Sequence, residues 1–207
     1  SEKKSRVITQ REKEITAYHE SGHALTAKML PNADAQVHKI SIIARGMAGG
    51  WTRFLPSEDR HLYTKSQLND AIAILLGGRI AEEIIFNEVT DGAQKDLSNA
   101  TSLARKMVTE YGMSDKLGLR TFGQRQELIF LGREISEQKD YSDKTAREID
   151  EEVYGIIQRA YNTAKKILSE HKAKLTQIAV QLIANETLEE AQLNKLFKGL
   201  TPQPSSS

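Results

Sequence analysis

Apolar and small residues recur at the three- and four-residue spacing of an α-helix over most of this chain. The first such stretch follows residues 9–12 (TQRE), which have the pattern of a capping box. We therefore expect a helix that starts at Gln10 and ends before Pro31. A second capping box at residues 64–67 (TKSQ) predicts a helix through about Phe86. The many apolar positions of this second helix indicate a deeply buried element.

Further helices are predicted in the second half of the chain. The third runs from about Ala93 to Tyr111, and helical spacing resumes at residues 142–167. Two more helices are expected, at residues 175–183 and 188–197. The stretch from Leu119 to Asp140 shows no sustained period, so we expect a long irregular connection there.

A small sheet is predicted in the N-terminal third. Residues 37–43 (VHKISII) and 51–55 (WTRFL) are short β-branched or aromatic runs on either side of a glycine-rich stretch. They predict two strands joined by a loop. The expected fold class is therefore mainly α, with a small β-sheet or hairpin, over residues 9–198. Residues 199–207 are expected to be a disordered tail.

Glycines inside the second predicted helix need a structural reason. Gly77 and Gly78 each cost a helix about 1 kcal/mol relative to alanine. We expect another backbone to approach closely at this point, which would offset that cost.

Composition excludes several classes of function. The 207 residues carry a formal net charge of +1, which offers no electrostatic basis for binding nucleic acid, and we expect no nucleic-acid partner. No cysteine is present, so disulfides, thiol catalysis and cysteine-ligated zinc are excluded. No apolar run approaches the length of a membrane-spanning helix, and no phosphate-binding P-loop pattern occurs.

The most informative motif is His19-Glu20-Ser21-Gly22-His23 on the first predicted helix. Histidines four residues apart project from one helix face, so His19 and His23 could bind one zinc ion. Glu20 is displaced around the helix and could act as general base on a water molecule. Gly22 has no side chain, so we expect a strand or substrate to come close to this face.

The residues alone leave the third zinc ligand open. The metzincin extension is excluded, because Thr26 and Met29 stand where that class has glycine and histidine. Three other histidines and several carboxylates remain as candidates. They are His38, His61, His171, Glu82, Glu83 and Asp96.

Several segments together resemble the peptidase domain of the FtsH-type membrane-anchored AAA+ zinc metalloproteases. The similar segments are REKEITAYHESGHAL, VHKISIIARG, LLGGRIAEEIIF, TDGAQKDLSNATSLARKMVTEYGMSDKLG and REIDEEV. They extend from Ser5 to about Phe197, which is most of the chain.

The resemblance implies a set of roles for individual residues. Asp96 would be the third ligand of a single Zn²⁺, with Glu20 as catalytic base. Glu82 and Glu83 would lie near the site or be structural. An edge strand beside the metal would hold extended polypeptide by backbone pairing, and the candidate segment is Met47, Ala48, Gly49, Gly50, Trp51 and Thr52.

The resemblance also implies an assembly and a location. The family works as a homo-hexamer that degrades unfolded or membrane proteins, with ATP and Mg²⁺ bound only by an ATPase module that this chain lacks. Residues 1–8 would be the connector from that module. The full-length protein is expected in a bacterial inner membrane, with this domain facing the cytoplasm and soluble by itself. The alternative function is a catalytically idle hexamerisation domain with a structural zinc.

Overall fold

Helices account for most of the described part of the chain, which is residues 8–32, 37–43, 62–126 and 136–202 of a computed structural model. The helices are α1 (Gln10–Met29), α2 (Lys65–Phe86), α3 (Gln94–Thr109), α4 (Asp143–Glu170), α5 (Lys172–Asn185) and α6 (Glu190–Phe197). The short strands are β1 (Lys39–Ser41), β2 (Gln124–Gln126), β3 (Ser136–Gln138) and β4 (Thr187–Glu189). The predicted mainly α fold class is confirmed.

The two predicted capping boxes are where α1 and α2 begin. The Oγ1 atom of Thr9 accepts the Glu12 backbone N–H at 3.1 Å. Thr64 and Gln67 exchange reciprocal bonds of 2.9 and 3.1 Å between side chain and backbone. Helix α2 is followed by its C-cap residue Asn87, whose φ of 50° is left-handed. Local hydrogen bonding therefore explains why both helices start where the sequence predicts.

Helix α2 lies at the centre and packs against α1, α3 and α4. At its crossing with α1, a Cβ built on Gly22 would lie 2.4 Å from the carbonyl oxygen of Gly77. The close backbone approach predicted at Gly77 is confirmed. The expectation for Gly22 was wrong, because this face of α1 is filled by α2 and not by a strand or substrate.

The small sheet differs from the predicted hairpin. Strand β1 pairs in antiparallel register with β4, which places Ile40 opposite Leu188. Both side chains are buried, so the pair joins the hydrophobic core. The predicted second strand, residues 51–55, lies outside the described residues. The last predicted helix starts at Glu190, because the residues before it pair with β1.

The connection between α3 and α4 is not wholly irregular. Strands β2 and β3 pair in antiparallel register within the stretch expected to lack structure. Their residues are polar or charged throughout, so the sequence has no apolar alternation there. Phe122, just before β2, is buried, and its backbone N–H donates to the Thr109 carbonyl oxygen at 2.9 Å.

None of the helices in the described residues is both long enough and apolar enough to span a bilayer. Residues 1–7 and 203–207, which include most of the expected connector and part of the expected tail, lie outside the described part.

Candidate metal centre

Two helices bring three ligand-type side chains together in the protein interior. Helix α1 carries His19 and His23 one turn apart, and both are buried. Asp96 lies in the first turn of α3 and is also buried. The two Nε2 atoms are 3.0 Å apart, and each lies 3.1 Å from Asp96 Oδ2. These three atoms form a nearly equilateral triangle that could hold one metal ion.

The second nitrogen of each imidazole has an acceptor as its partner. His23 Nδ1 lies 2.7 Å from the carbonyl oxygen of Ile74, and His19 Nδ1 lies 2.8 Å from Glu82 Oε2. A carbonyl or carboxylate oxygen can only accept, so both Nδ1 atoms carry the hydrogen. In the neutral imidazoles both Nε2 lone pairs therefore point into the triangle. Partners of this kind fix the tautomer and orientation of metal-binding histidines.

Gly78 makes room for the His19 ring. A Cβ built on Gly78 would lie 2.5 Å from His19 Nε2 and 2.6 Å from the neighbouring ring carbons. The sequence correctly predicted a close approach at the paired glycines. At Gly78, however, the approaching group is a side chain of the site and not another backbone.

The electrostatic field of the site favours a positive charge. Burial alone would lower the pKa of His19, but its contacts with Asp96 and Glu82 outweigh burial and raise that pKa to about 9. Burial opposes ionisation of Asp96 and Glu82 as well. The hydrogen bonds from the histidines, and from Thr90 to Glu82, nevertheless lower the pKa of both carboxyls. The pocket thus stabilises a cation between its nitrogens and carboxylates.

This donor set suits zinc. Two imidazole nitrogens and one carboxylate oxygen are typical ligands of a catalytic zinc ion, which keeps a further position for water or substrate. Two Nε2 atoms 3.0 Å apart, beside a carboxylate oxygen, repel unless a proton or a metal cation lies between them. The three side chains therefore fit the metal that the motif predicts.

The two glutamates of α2 occupy different environments. Glu82 is buried and contacts His19, as described above. Glu83 instead accepts a hydrogen bond of 2.8 Å from the Tyr161 hydroxyl and lies 3.7 Å from Arg79 Nε. Glu83 is thus engaged in contacts between α2 and α4. Glu20 follows His19 on α1 and is only partly buried.

The other candidate residues lie elsewhere or outside the described part. His38 Nδ1 is 3.3 Å from Glu190 Oε2, on the side of the small sheet. His171 lies at the junction of α4 and α5. His61 and the segment 47–52, predicted to bind substrate, lie outside the described residues.

One contact was missed in the sequence. The Thr90 hydroxyl donates to Glu82 Oε1 at 2.7 Å, which places Thr90 behind the partner of His19. In the sequence Thr90 stands directly before Asp91-Gly92, a pattern typical of a turn. A hydroxyl on a turn gives no sequence signal for a contact with a carboxylate of another element.

Comparison with known proteins gives a consistent result. The family model described as peptidase family M41 matches residues 6–196. Two similar relatives are both named ATP-dependent zinc metalloprotease FtsH 1. The Thermomicrobium roseum protein is 55% identical over 203 residues, which are 98% of this chain and 31% of that protein. The Sphaerobacter thermophilus protein is 54% identical with the same coverage. An FtsH of Chloroflexus aggregans is 53% identical over 97% of this chain and 31% of its own length.

Proposed function

The chain belongs to peptidase family M41 and is a zinc metalloendopeptidase domain, and we propose that Glu20 is its general base. The metal would be held by His19 Nε2, His23 Nε2 and Asp96 Oδ2. The observation that carries this assignment is the triangle of these atoms, with sides of 3.0 to 3.1 Å.

The proposed reaction is hydrolysis of a peptide bond. When bound, zinc would polarise the scissile carbonyl and lower the pKa of water at its free position. Glu20 would accept a proton from the attacking water as the new C–O bond forms. It would then donate that proton to the leaving nitrogen as the C–N bond breaks. Glu20 suits this role because it adjoins His19 yet remains partly accessible.

A structural zinc is less well supported. Structural zinc sites usually have four protein ligands, whereas the described residues bring three ligand-type side chains together here. A purely structural site also has no need of Glu20 next to a ligand. Both points favour catalysis over an idle hexamerisation domain.

The activity of the whole protein is proposed from the names of its relatives. The chain spans 31% of the length of the first two relatives, whose names describe an ATP-dependent protease. We therefore propose that an ATPase module of the full-length chain delivers unfolded polypeptide to this domain. Assembly as a homo-hexamer, anchoring in a bacterial inner membrane and binding of substrate along residues 47–52 are part of the same proposal.

Replacing the base tests the function. Glu20→Gln removes the proton acceptor and keeps the shape, so cleavage of a fluorogenic unstructured peptide should fall by at least about 100-fold. Zinc content should stay at one ion per chain. The matched control is Glu14→Gln, the same change six residues earlier on α1, which should leave the rate unchanged. Equal cleavage by Glu20→Gln and the unaltered protein would overturn the assignment of the base.

A further inference from the structure

Thr90 is hydrogen-bonded both to the carboxylate partner of His19 and to the turn that precedes Asp96. Its hydroxyl donates to Glu82 Oε1 at 2.7 Å, and the other oxygen of that carboxylate accepts from His19 Nδ1 at 2.8 Å. A continuous chain of hydrogen bonds thus runs from Thr90 to one ligand. Thr90 bonds the Glu82 oxygen that does not contact His19.

The same hydroxyl also organises the turn that leads to Asp96. Thr90 Oγ1 accepts the Gly92 backbone N–H at 3.2 Å and caps the 3₁₀ turn Asp91–Ala93. Helix α3 follows directly, with Asp96 in its first turn. Ala93 is the N-cap residue of α3 and provides no side-chain hydrogen bond. The Thr90 hydroxyl therefore organises the turn that leads into α3.

We propose that Thr90 is a positioning residue for the metal centre. One hydroxyl donates to the carboxylate that orients His19 and accepts from the turn that places Asp96. It thereby fixes two ligands from different helices relative to each other. This inference rests on the proposed zinc site and adds a residue that acts through Glu82 and the turn before α3.

The test compares zinc affinity among hydroxyl variants of the same chain. Thr90→Val keeps the branched shape and removes the hydroxyl, whereas Thr90→Ser keeps the hydroxyl. Competition with a chromogenic chelator of known affinity should show about 10- to 100-fold weaker zinc binding for Thr90→Val. Thr90→Ser should stay within about threefold of the unaltered protein. Thr101→Val is the matched control, because Thr101 donates only to the Leu97 carbonyl oxygen on the exposed side of α3.

A double-mutant cycle separates positioning from simple loss of a cap. If Thr90 acts through Glu82, Thr90→Val should weaken zinc binding much less in a Glu82→Gln background than alone. Thermal unfolding in EDTA measures the structural effect of each variant independently of metal. Circular dichroism checks folding, and Thr90→Ala replaces Thr90→Val if the valine variant is unfolded.

Two results would overturn the proposal about Thr90. One is zinc affinity unchanged in Thr90→Val while its melting temperature falls, which would make Thr90 only a helix cap. The other is fully additive losses in the cycle with Glu82→Gln. If the unaltered chain itself fails to bind zinc, the proposed function fails too, and that outcome is distinct from both.

Discussion

The crossing of α1 and α2 at Gly22 allows a stability prediction with a defined sign. In Gly22→Ala the new methyl would lie 2.4 Å from the Gly77 carbonyl oxygen and 2.6 Å from Ala81 Cβ. Ordinary van der Waals contact begins near 3.4 Å. The helices must therefore separate by about 1 Å, because a backbone carbonyl cannot rotate aside as a flexible side chain can.

Two opposing contributions set the size of the effect. Overpacking a well-packed contact costs about 1–3 kcal/mol, with backbone contacts at the upper end. Alanine gains up to about 1 kcal/mol over glycine in a helix interior. We expect Gly22→Ala to lower the free energy of unfolding by about 1–2 kcal/mol. For a chain of this size, that corresponds to a melting temperature about 2–8 °C lower.

The matched control is Gly155→Ala in α4. A Cβ there would meet only the Nη1 and Cζ atoms of Arg159, at 3.1 and 3.9 Å, which belong to the end of a flexible side chain. This variant should gain up to about 1 kcal/mol from helix propensity. Both variants are measured by thermal and urea unfolding in EDTA, so that metal binding does not contribute. If Gly22→Ala were as stable as Gly155→Ala, the tight crossing would be refuted.

Three further predictions concern single sites. Gly78→Ala would force the His19 ring away from its position, since the methyl would lie 2.5 Å from Nε2. Zinc affinity, measured by chelator competition, should therefore fall by at least about 100-fold. An unchanged affinity would contradict this. The Ser21 hydroxyl is buried without a hydrogen-bond partner in the described residues. Ser21→Ala should therefore raise the free energy of unfolding, measured in urea, by about 1 kcal/mol. A lower free energy of unfolding for Ser21→Ala would contradict this prediction. Asp70 accepts the Asn32 backbone N–H, yet burial raises its pKa from 3.8 to about 6. The folded state then binds more protons than the unfolded chain between these values, so stability contributed by Asp70 falls as pH rises through that window, by at most about 3 kcal/mol. Asp70→Asn should therefore stabilise the protein by about 1–2 kcal/mol at pH 7.5 and by less at pH 5; an equal effect at both values would contradict the raised pKa.

The long helices could be predicted because their signals are local. A capping box, a run of apolar residues at helical spacing and a terminating residue lie within one segment, as at Thr9 and Thr64. The short strands could not be predicted in the same way. Three residues are too few for a period, and the partner of β1 lies about 150 positions along the chain, at Leu188.

In the candidate site too, the local part could be predicted from the sequence and the part that depends on helix packing could not. The spacing of His19 and His23 predicts a metal-binding pair, since both lie on one helix. The residues alone left several candidates for a third ligand. Asp96 lies beside the two histidines only because α1 and α3 both pack against α2. Glu82 and Glu83 are adjacent in the sequence, and only the fold shows that Glu82 is the buried one. Resemblance to a known family pointed to Asp96 as the third ligand, which elementary spacing rules could not single out.

The most direct test of this account is anomalous diffraction at the zinc edge from crystals of the zinc-loaded protein. We expect one peak per chain, with His19 Nε2, His23 Nε2 and Asp96 Oδ2 each within about 2.0–2.2 Å of it. A peak ligated by Glu82 in place of Asp96, or a peak away from α1 and α3, would contradict the account.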